Sequence, residues 1–225
     1  MATSIKVHGV PFSGPTCRVL ACLYEKELEY EFVKLKMHEG EHKKQPFLSI
    51  NPFGQVPGFQ DGDLTLFGKI YLGNRAIHES RAITQYIVGN YANNGTQLIF
   101  QDPKKAAIVL TWIEVESHHY DPPASKLVLE LCLKPLLGWG ETDAAVVEQS
   151  EAELAKVLDI YEDRLAQSKY LGGESFTLAD LHHLPTIDYL FGTQMKKLFE
   201  SRPHVNAWAA DIMARPAWAK VLALR

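Results

Sequence analysis

The chain has 225 residues, 46% hydrophobic and 22% charged, the composition of an ordinary globular protein with room for one or two compact domains. Its 15 Gly and 12 Pro exclude collagen-like and low-complexity sequence, and a mean hydropathy of -0.13 with no apolar run of about 18 residues argues against a membrane span. A net charge of -4 argues against a nucleic-acid partner, and a division after residue 94 leaves +1 in the first part and -5 in the rest, so an anion site is expected in the first.

In chain order, Ile5 to Val10 alternates like a strand, and Pro15 to Glu27 is predicted helical with Val19, Leu20, Leu23 and Tyr24 on one face. Tyr30 to Lys36 is a second strand. Gln55 to Phe59 and Leu64 to Phe67 are short strands around the turn Asp61-Gly62-Asp63, and Ser80 to Asn90 is a helix. This βαβ unit followed by a hairpin and a helix has the order of a thioredoxin-like domain. After Asn93-Asn94-Gly95 the pattern is helical: one helix opens at Asp102-Pro103 and runs past Val115, and another spans Thr142 to Ala166. Thr177 and Asp180 form a capping-box signature, with Phe176 placed to staple onto Leu181. The predicted architecture is a small α/β domain, residues 1–93, and an all-α domain, residues 100–225.

Three cysteines without a CxxC pair make a disulfide framework or zinc site a poor fit and suit a reducing, cytoplasmic compartment. The first residues already read as a strand, so no targeting presequence is expected. Adjacent histidines, His118-His119 and His182-His183, point about 100° apart on a helix and lack neighbouring ligands at metal spacing, so packing and hydrogen-bonding roles are expected and no metal.

Ser13 follows the first strand and precedes Gly14-Pro15 and the helix, which places its hydroxyl near a helix N-terminus, where free N–H groups and the helix dipole favour an anion. A serine there also serves as a simple cap. Val56-Pro57, just before the hairpin, is a candidate cis bond that would present the Val56 backbone to a peptide ligand.

Several motifs together resemble the plant phi-class glutathione transferases: Val7-x-Gly9-x-Pro11-x-Ser13, Glu41-His42-Lys43-Lys44, Asn51-Pro52-Phe53-Gly54-Gln55-Val56-Pro57 and Glu79-Ser80-Arg81-Ala82-Ile83. Asp121-Pro122-Pro123-Ala124-Ser125-Lys126-Leu127, Phe176 to Pro185 and Arg215-Pro216-Ala217-Trp218 continue the resemblance. It implies a thioredoxin-like glutathione-binding domain, a helical domain that helps form a hydrophobic substrate site, and a homodimer. It also implies that Ser13 donates a hydrogen bond to the glutathione sulfur, that His42 and Lys43 meet the glycyl carboxylate, that Gln55 and the Val56 backbone bind the peptide, and that Glu79 and Ser80 hold the γ-glutamyl end. Phe12, Met37, His119 and Tyr120 would contribute to the pocket for small hydrophobic electrophiles, and Phe53 would wedge into the partner subunit.

The implied chemistry is conjugation of glutathione, the cosubstrate, with possible companion peroxide reduction. A thiol transferase on the same fold would carry a cysteine in place of Ser13, and Cys17 and Cys22, further into the helix, are expected to be buried structural thiols. Non-catalytic carriage of hydrophobic ligands is the alternative. One departure bears on the choice: the segment from Gly68 to His78 intervenes between the hairpin and Glu79-Ser80. Either it loops out and leaves Glu79-Ser80 in the site, or the helix begins at Asn74 and encloses Ser80. Ile77 and Ile83, six residues apart, would sit about 120° apart around a continuous helix, which favours the looped-out arrangement.

Overall fold

The computed structural model describes residues 5–67, 70–72, 75–77 and 80–225, with 70–72 and 75–77 described as backbone. The chain divides into two compact units, Met1–Leu98 with Pro216–Arg225, and Ile99–Arg215.

The first unit is built on a four-stranded mixed sheet. Strands β1 (Ile5–Gly9) and β2 (Glu31–Lys34) are parallel, joined across helix α1 (Gly14–Glu25). Strand β3 (Gly58–Asp61) runs antiparallel to β1, with His8 opposite Gly58, and β4 (Leu64–Phe67) closes the hairpin, giving the order β2-β1-β3-β4. The turn is the expected one, with Gly62 at φ 59 between Asp61 and Leu64, which pair. β3 begins three residues later than the alternation suggested, after Pro57, which has no N–H to give a ladder. A short helix α2 (Phe47–Ile50) and two single 3₁₀ turns, Met37–Glu39 and Glu41–Lys43, fill the crossing between β2 and β3 and were not legible as periodicity.

Ile5, Val7 and Gly9 face inward while Lys6 points out to Glu31 at 2.8 Å. Helix α1 is buried almost all round, because the sheet, helix α3 (Ser80–Asn90) and helix α12 (Pro216–Leu222) all belong to its unit and the two helices pack on it. Of the polar residues buried here, Glu25 accepts from the Thr96 hydroxyl at 2.7 Å and Lys26, the C-cap, donates to the Ala92 and Thr96 carbonyls, while Thr16 Oγ1 has no partner among the described residues. Cys17 and Cys22 are buried in the same helix. Residues 216–225, assigned from sequence to the helical domain, group instead with this unit, where Trp218 and Val221 are fully buried.

Between β4 and α3 the intervening segment contains a second hairpin, β5 (Ile70–Leu72) and β6 (Arg75–Ile77), paired Ile70 to Ile77, Tyr71 to Ala76 and Leu72 to Arg75. It forms a separate two-stranded sheet. Helix α3 starts at Ser80, so the continuous-helix alternative is excluded, and the segment carries backbone pairing where a plain loop was expected. The expected exposure of its side chains falls outside the described residues.

The second unit is helical. Helices α4 (Pro103–Val115), α5 (Asp121–Val128) and α6 (Lys134–Leu137) follow one another through two widened turns, Glu116–Tyr120 and Leu129–Leu133, in which Asp121 N bonds to Glu116 O and Lys134 N to Leu129 O. Each widened turn ends one residue short of a proline, Pro122 and Pro135, whose missing N–H and ring bulk cannot continue the narrower helix. Helix α7 (Ala144–Leu165) is capped by Asp143, which accepts from Ala145 N and Val146 N. Short helices α8 (Leu178–Leu181), α9 (Leu184–Phe191) and α10 (Lys196–Glu200) and the longer α11 (Pro203–Met213) complete the unit. Glu162 of α7 caps α11 from outside, accepting from His204 N and Val205 N, and these bonds together with the His204 ring hold its carboxyl below the ordinary value despite burial.

The core of this unit is an aromatic cluster. Tyr120 stacks on Tyr161, and His183 lies edge-on to both and to Trp208, with Tyr161 Oη and His183 Nε2 3.0 Å apart. His183 thus has the packing role expected of it, whereas His118 and His119 are exposed, His118 beside Glu114. The capping box forms as predicted: Thr177 N and Thr177 Oγ1 donate to Asp180 Oδ2 at 2.9 and 3.1 Å. Asp180 Oδ1 takes two further donors, Leu171 N and Trp208 Nε1, each at 3.0 Å. Among the described residues no helix is long and apolar enough to cross a membrane.

Candidate functional site

The sheet topology gathers the sequence-predicted residues of the first unit at one end. β1 and β2 run parallel, so the segments leaving them, Val10 to Ser13 and Leu35 to Lys43, emerge on the same edge. β3 enters from that edge and β4 leaves toward it, since Gly58 pairs both with His8 and with Phe67. Ser13, His42, Lys43, Gln55, Val56 and, past the second hairpin, Ser80 therefore all stand at the edge where β1 ends.

Ser13 is the N-cap of α1. Its Oγ accepts from Thr16 N at 3.4 Å, its N–H closes a turn onto Val10 O at 3.1 Å, and it is half-buried. Among the described residues nothing accepts its hydroxyl proton, which leaves that proton available to a ligand. Gly9 permits the approach of α1 to β1 that sets this geometry, because a Cβ there would meet the Thr16 side chain at 2.7 Å.

The stretch from Asn51 to Pro57 is held by its own polar groups. Buried Asn51 donates through Nδ2 to Gln55 O at 2.6 Å and accepts from Phe53 N at 2.9 Å. Lys43 Nζ reaches across to Phe53 O at 2.9 Å, and Gly54, at φ 60, lies so close to the 3₁₀ turn that a Cβ would meet His42 O at 2.5 Å. The Val56-Pro57 bond is cis, as its position suggested, and a second cis bond, Gln45-Pro46, carried no sequence signal. Asn51 was missed as a scaffold residue, although an Asn-Pro pair two residues before a glycine is itself a turn signature.

Two side-chain atoms of this stretch are buried with no hydrogen-bond partner among the described residues, His42 Nδ1 and Gln55 Oε1. Buried polar atoms are ordinarily satisfied by protein, water or ligand, so these two atoms are groups that a molecule at this edge can bond. Burial, and after it the charge of Lys43, lowers the His42 pKa, so the imidazole is neutral at pH 7.

The start of α3, to which the resemblance assigns Glu79 and Ser80, is enclosed within its own unit. Ser80 stands at the first position of α3 as predicted, but it is fully buried, and its hydroxyl accepts from Arg18 Nη1 at 3.0 Å. Arg18, itself buried in α1, was not among the sequence candidates. Glu79 lies outside the described residues.

Of the residues expected in the hydrophobic pocket, Phe12 is 51% exposed and Met37 half-buried, both in the first unit, and His119 is exposed in the second. Tyr120 has no solvent-accessible surface: it is a core residue, stacked on Tyr161, with its hydroxyl accepting from Thr186 Oγ1 at 3.3 Å. The adjacent position His119 is the one presented outward, since neighbouring residues of a helix point about 100° apart. Phe53, expected at a subunit contact, is 44% exposed and tilted against Phe67 at 6.0 Å between ring centroids. No cluster of metal-ligating side chains occurs among the described residues.

A thioredoxin-like sheet with a serine-capped helix and a cis-proline turn, followed by a helical unit, defines the class of two-unit proteins with a thioredoxin-like first unit. The glutathione S-transferase N-terminal domain model matches residues 3–89, and the C-terminal domain model residues 119–216. Glutathione S-transferase PARB of Nicotiana tabacum is 60% identical over 219 residues, covering 97% of each chain. The crystal structure of glutathione transferase F7 from Populus trichocarpa superposes with a TM-score of 0.90 at 44% identity, covering 98% of each chain. Glutathione S-transferase I from maize, solved with an atrazine glutathione conjugate, superposes with a TM-score of 0.87 at 38% identity, over 99% of this chain and 98% of that one. The chain belongs to the glutathione S-transferase family, in the plant phi class, and it is a glutathione-using transferase.

Proposed function

We propose that the protein conjugates glutathione to small hydrophobic electrophiles, with Ser13 as the donor that stabilises the glutathione thiolate. The observation that carries this reading is the Ser13 hydroxyl itself: it caps α1, accepts from Thr16 N, and has a proton with no acceptor among the described residues. The attacking atom is the cosubstrate sulfur. Its electron pair forms the new S–C bond, and the leaving group departs from the electrophile with the bonding pair. Ser13 stays unmodified, favouring the charged sulfur together with the free N–H groups of the helix start.

His42 and Gln55 supply the buried atoms that glutathione would satisfy, with Lys43 beside them as a cation for the glycyl carboxylate and the Val56 backbone for the peptide. The γ-glutamyl end would meet the start of α3, at Glu79 and Ser80. Phe12, Met37 and His119 remain proposed as contributors to the electrophile site, and the same pocket chemistry admits hydroperoxides as acceptors. We place the enzyme in the cytoplasm as a homodimer, with Phe53 inserted into the partner. On a sizing column the protein is expected at twice the mass of the chain, and Phe53→Ala is expected to shift it toward monomer; a wild-type monomer would remove Phe53 from this role.

The full burial of Ser80, whose hydroxyl accepts from Arg18, favours a second reading in which glutathione binds weakly and the protein carries hydrophobic ligands. A glutathione titration followed by a conjugation assay with an aryl halide, run on the whole chain and on a variant lacking residues 68–78, separates the two. The four-stranded sheet and α3 are complete without β5 and β6, which pair with each other, so the deletion variant is expected to fold, bind glutathione and conjugate it. The enzymatic reading expects saturable glutathione binding and turnover from the whole chain as well. Binding by the deletion variant alone would sink it in favour of carriage.

A further inference from the structure

The last residues of the chain run back to the edge of the sheet where β1 ends. Lys34, the last residue of β2, donates to Leu224 O at 3.4 Å, and Arg225 Nε donates to Pro11 O at 3.3 Å. The Arg225 guanidinium lies over the Trp218 ring at 5.7 Å and within 3.9 Å of Cys17 Sγ. All of these residues belong to the first unit.

Pro11 O is a demanding acceptor. It is the carbonyl two residues before Ser13, in the turn that Ser13 N closes onto Val10 O, and it precedes the helix, so no intrahelical N–H reaches it. Two side chains satisfy it: the Cys17 thiol at 3.1 Å and Arg225. A thiol is a weak donor, whereas a guanidinium is charged and planar and holds a carbonyl more strongly. Arg225 is thus the stronger tether on the peptide plane that leads into Phe12 and Ser13. The ring of Trp218, fully buried in α12, gives the guanidinium a rigid seat, and the bond from Lys34 anchors the backbone just before it.

We propose that Arg225 is a positioning residue for the Ser13 hydroxyl, its guanidinium clamping the Pro11 carbonyl so that the turn from Val10 to Ser13 keeps the hydroxyl aimed at the cosubstrate sulfur. The inference rests on the thiolate-stabilising role of Ser13. Loss of the tether frees the Pro11–Phe12 peptide to rotate. A displacement of the donor by about 1 Å is enough to cost a large part of its effect, because a hydrogen bond to a developing charge depends steeply on geometry. Phe12 moves with the same peptide, so the placement of the electrophile would also loosen.

The test compares Arg225→Gln, Arg225→Lys and Ser13→Ala with the whole chain. The thiolate absorbance of bound glutathione is titrated against pH, kcat and KM are measured with an aryl halide, and the thermal midpoint is recorded. Arg225→Gln is expected to raise the apparent pKa of the bound thiol by about half to one unit and to lower kcat about 1.5- to 3-fold at pH 7, with the KM for glutathione and the midpoint nearly unchanged. Arg225→Lys, which can still donate to Pro11 O, is expected to recover most of the loss. An unchanged thiol titration in Arg225→Gln, in a protein where Ser13→Ala shifts it, would overturn the inference and leave the role of Ser13 standing. A loss of activity that parallels a fall in the midpoint and is not recovered by Arg225→Lys would overturn it too, reducing Arg225 to a structural contact. A Ser13→Ala variant with wild-type titration would instead overturn the underlying reading.

Discussion

Ser13→Ala is expected to lower the conjugation rate at pH 7 by about 25-fold while leaving the KM for glutathione within about twofold. A free thiol with a pKa of about 8.5 is roughly 3% ionised at pH 7, and the thiolate is the nucleophile. If the Ser13 hydroxyl lowers that pKa by about two units, roughly three quarters of bound glutathione is ionised, and the difference is worth about 2.7 kcal/mol. Alanine removes the hydroxyl donor and also the cap on Thr16 N, which costs the helix about 1 kcal/mol. The pH profile separates these effects. The wild-type rate should level off above about pH 7, whereas the variant should keep rising toward pH 9, because its bound thiol ionises at an ordinary value. A variant whose profile and rate match the wild type would exclude Ser13 as the stabilising donor. A drop in stability with an unaltered profile would show that the serine is a cap and nothing more.

Asp180→Ala is expected to destabilise the helical unit by about 4 kcal/mol at pH 7, lowering its thermal midpoint by roughly 8 to 16 °C. The carboxylate accepts four bonds, from Leu171 N, Thr177 N, Thr177 Oγ1 and Trp208 Nε1, and the residues that donate them are buried or nearly so. Truncation leaves these donors without an acceptor in a place water does not reach, and each such loss costs about 1 to 3 kcal/mol. Burial pushes the Asp180 pKa up to about 6, with the four donors pulling in the opposite direction. The folded value therefore lies above the unfolded one, so protons bind more tightly to the folded state. The stability this group contributes is fully present below its ordinary pKa of 3.8 and declines as pH rises through about 6. The deficit of Asp180→Ala should accordingly be larger at pH 4 than at pH 7. Chemical denaturation at the two pH values checks both points, and a loss below about 1 kcal/mol at either would show that the neighbouring donors find other partners.

Residues 68–78 mark the boundary between these two kinds of expectation. The spacing of Ile77 and Ile83 favoured a looped-out segment over a continuous helix, and α3 does begin at Ser80. The pairing of β5 with β6 had no comparable signal, because each strand is only three residues long and shows too little alternation to count. Ser80 itself was readable as the residue at the helix start. Its burial and its bond to Arg18, 62 positions earlier, were not, since they depend on how closely α1 and α3 pack.

The same division runs through the whole chain. The sequence alone determined the strands and helices whose patterns exceed a few residues, the change from mixed to helical character, the Ser13 cap and the Thr177–Asp180 capping box. These are local properties: periodicity, capping chemistry and turn residues act over a handful of positions and leave their mark in order along the chain. Only the tertiary structure decided that Tyr120 belongs to the core while His119 faces out, that residues 216–225 join the first unit, that His42 and Gln55 hold polar atoms awaiting a partner, and that Arg225 reaches back across 214 positions to Pro11. Each of these is a contact between segments far apart in sequence, set by the packing of whole elements, and no local pattern encodes it.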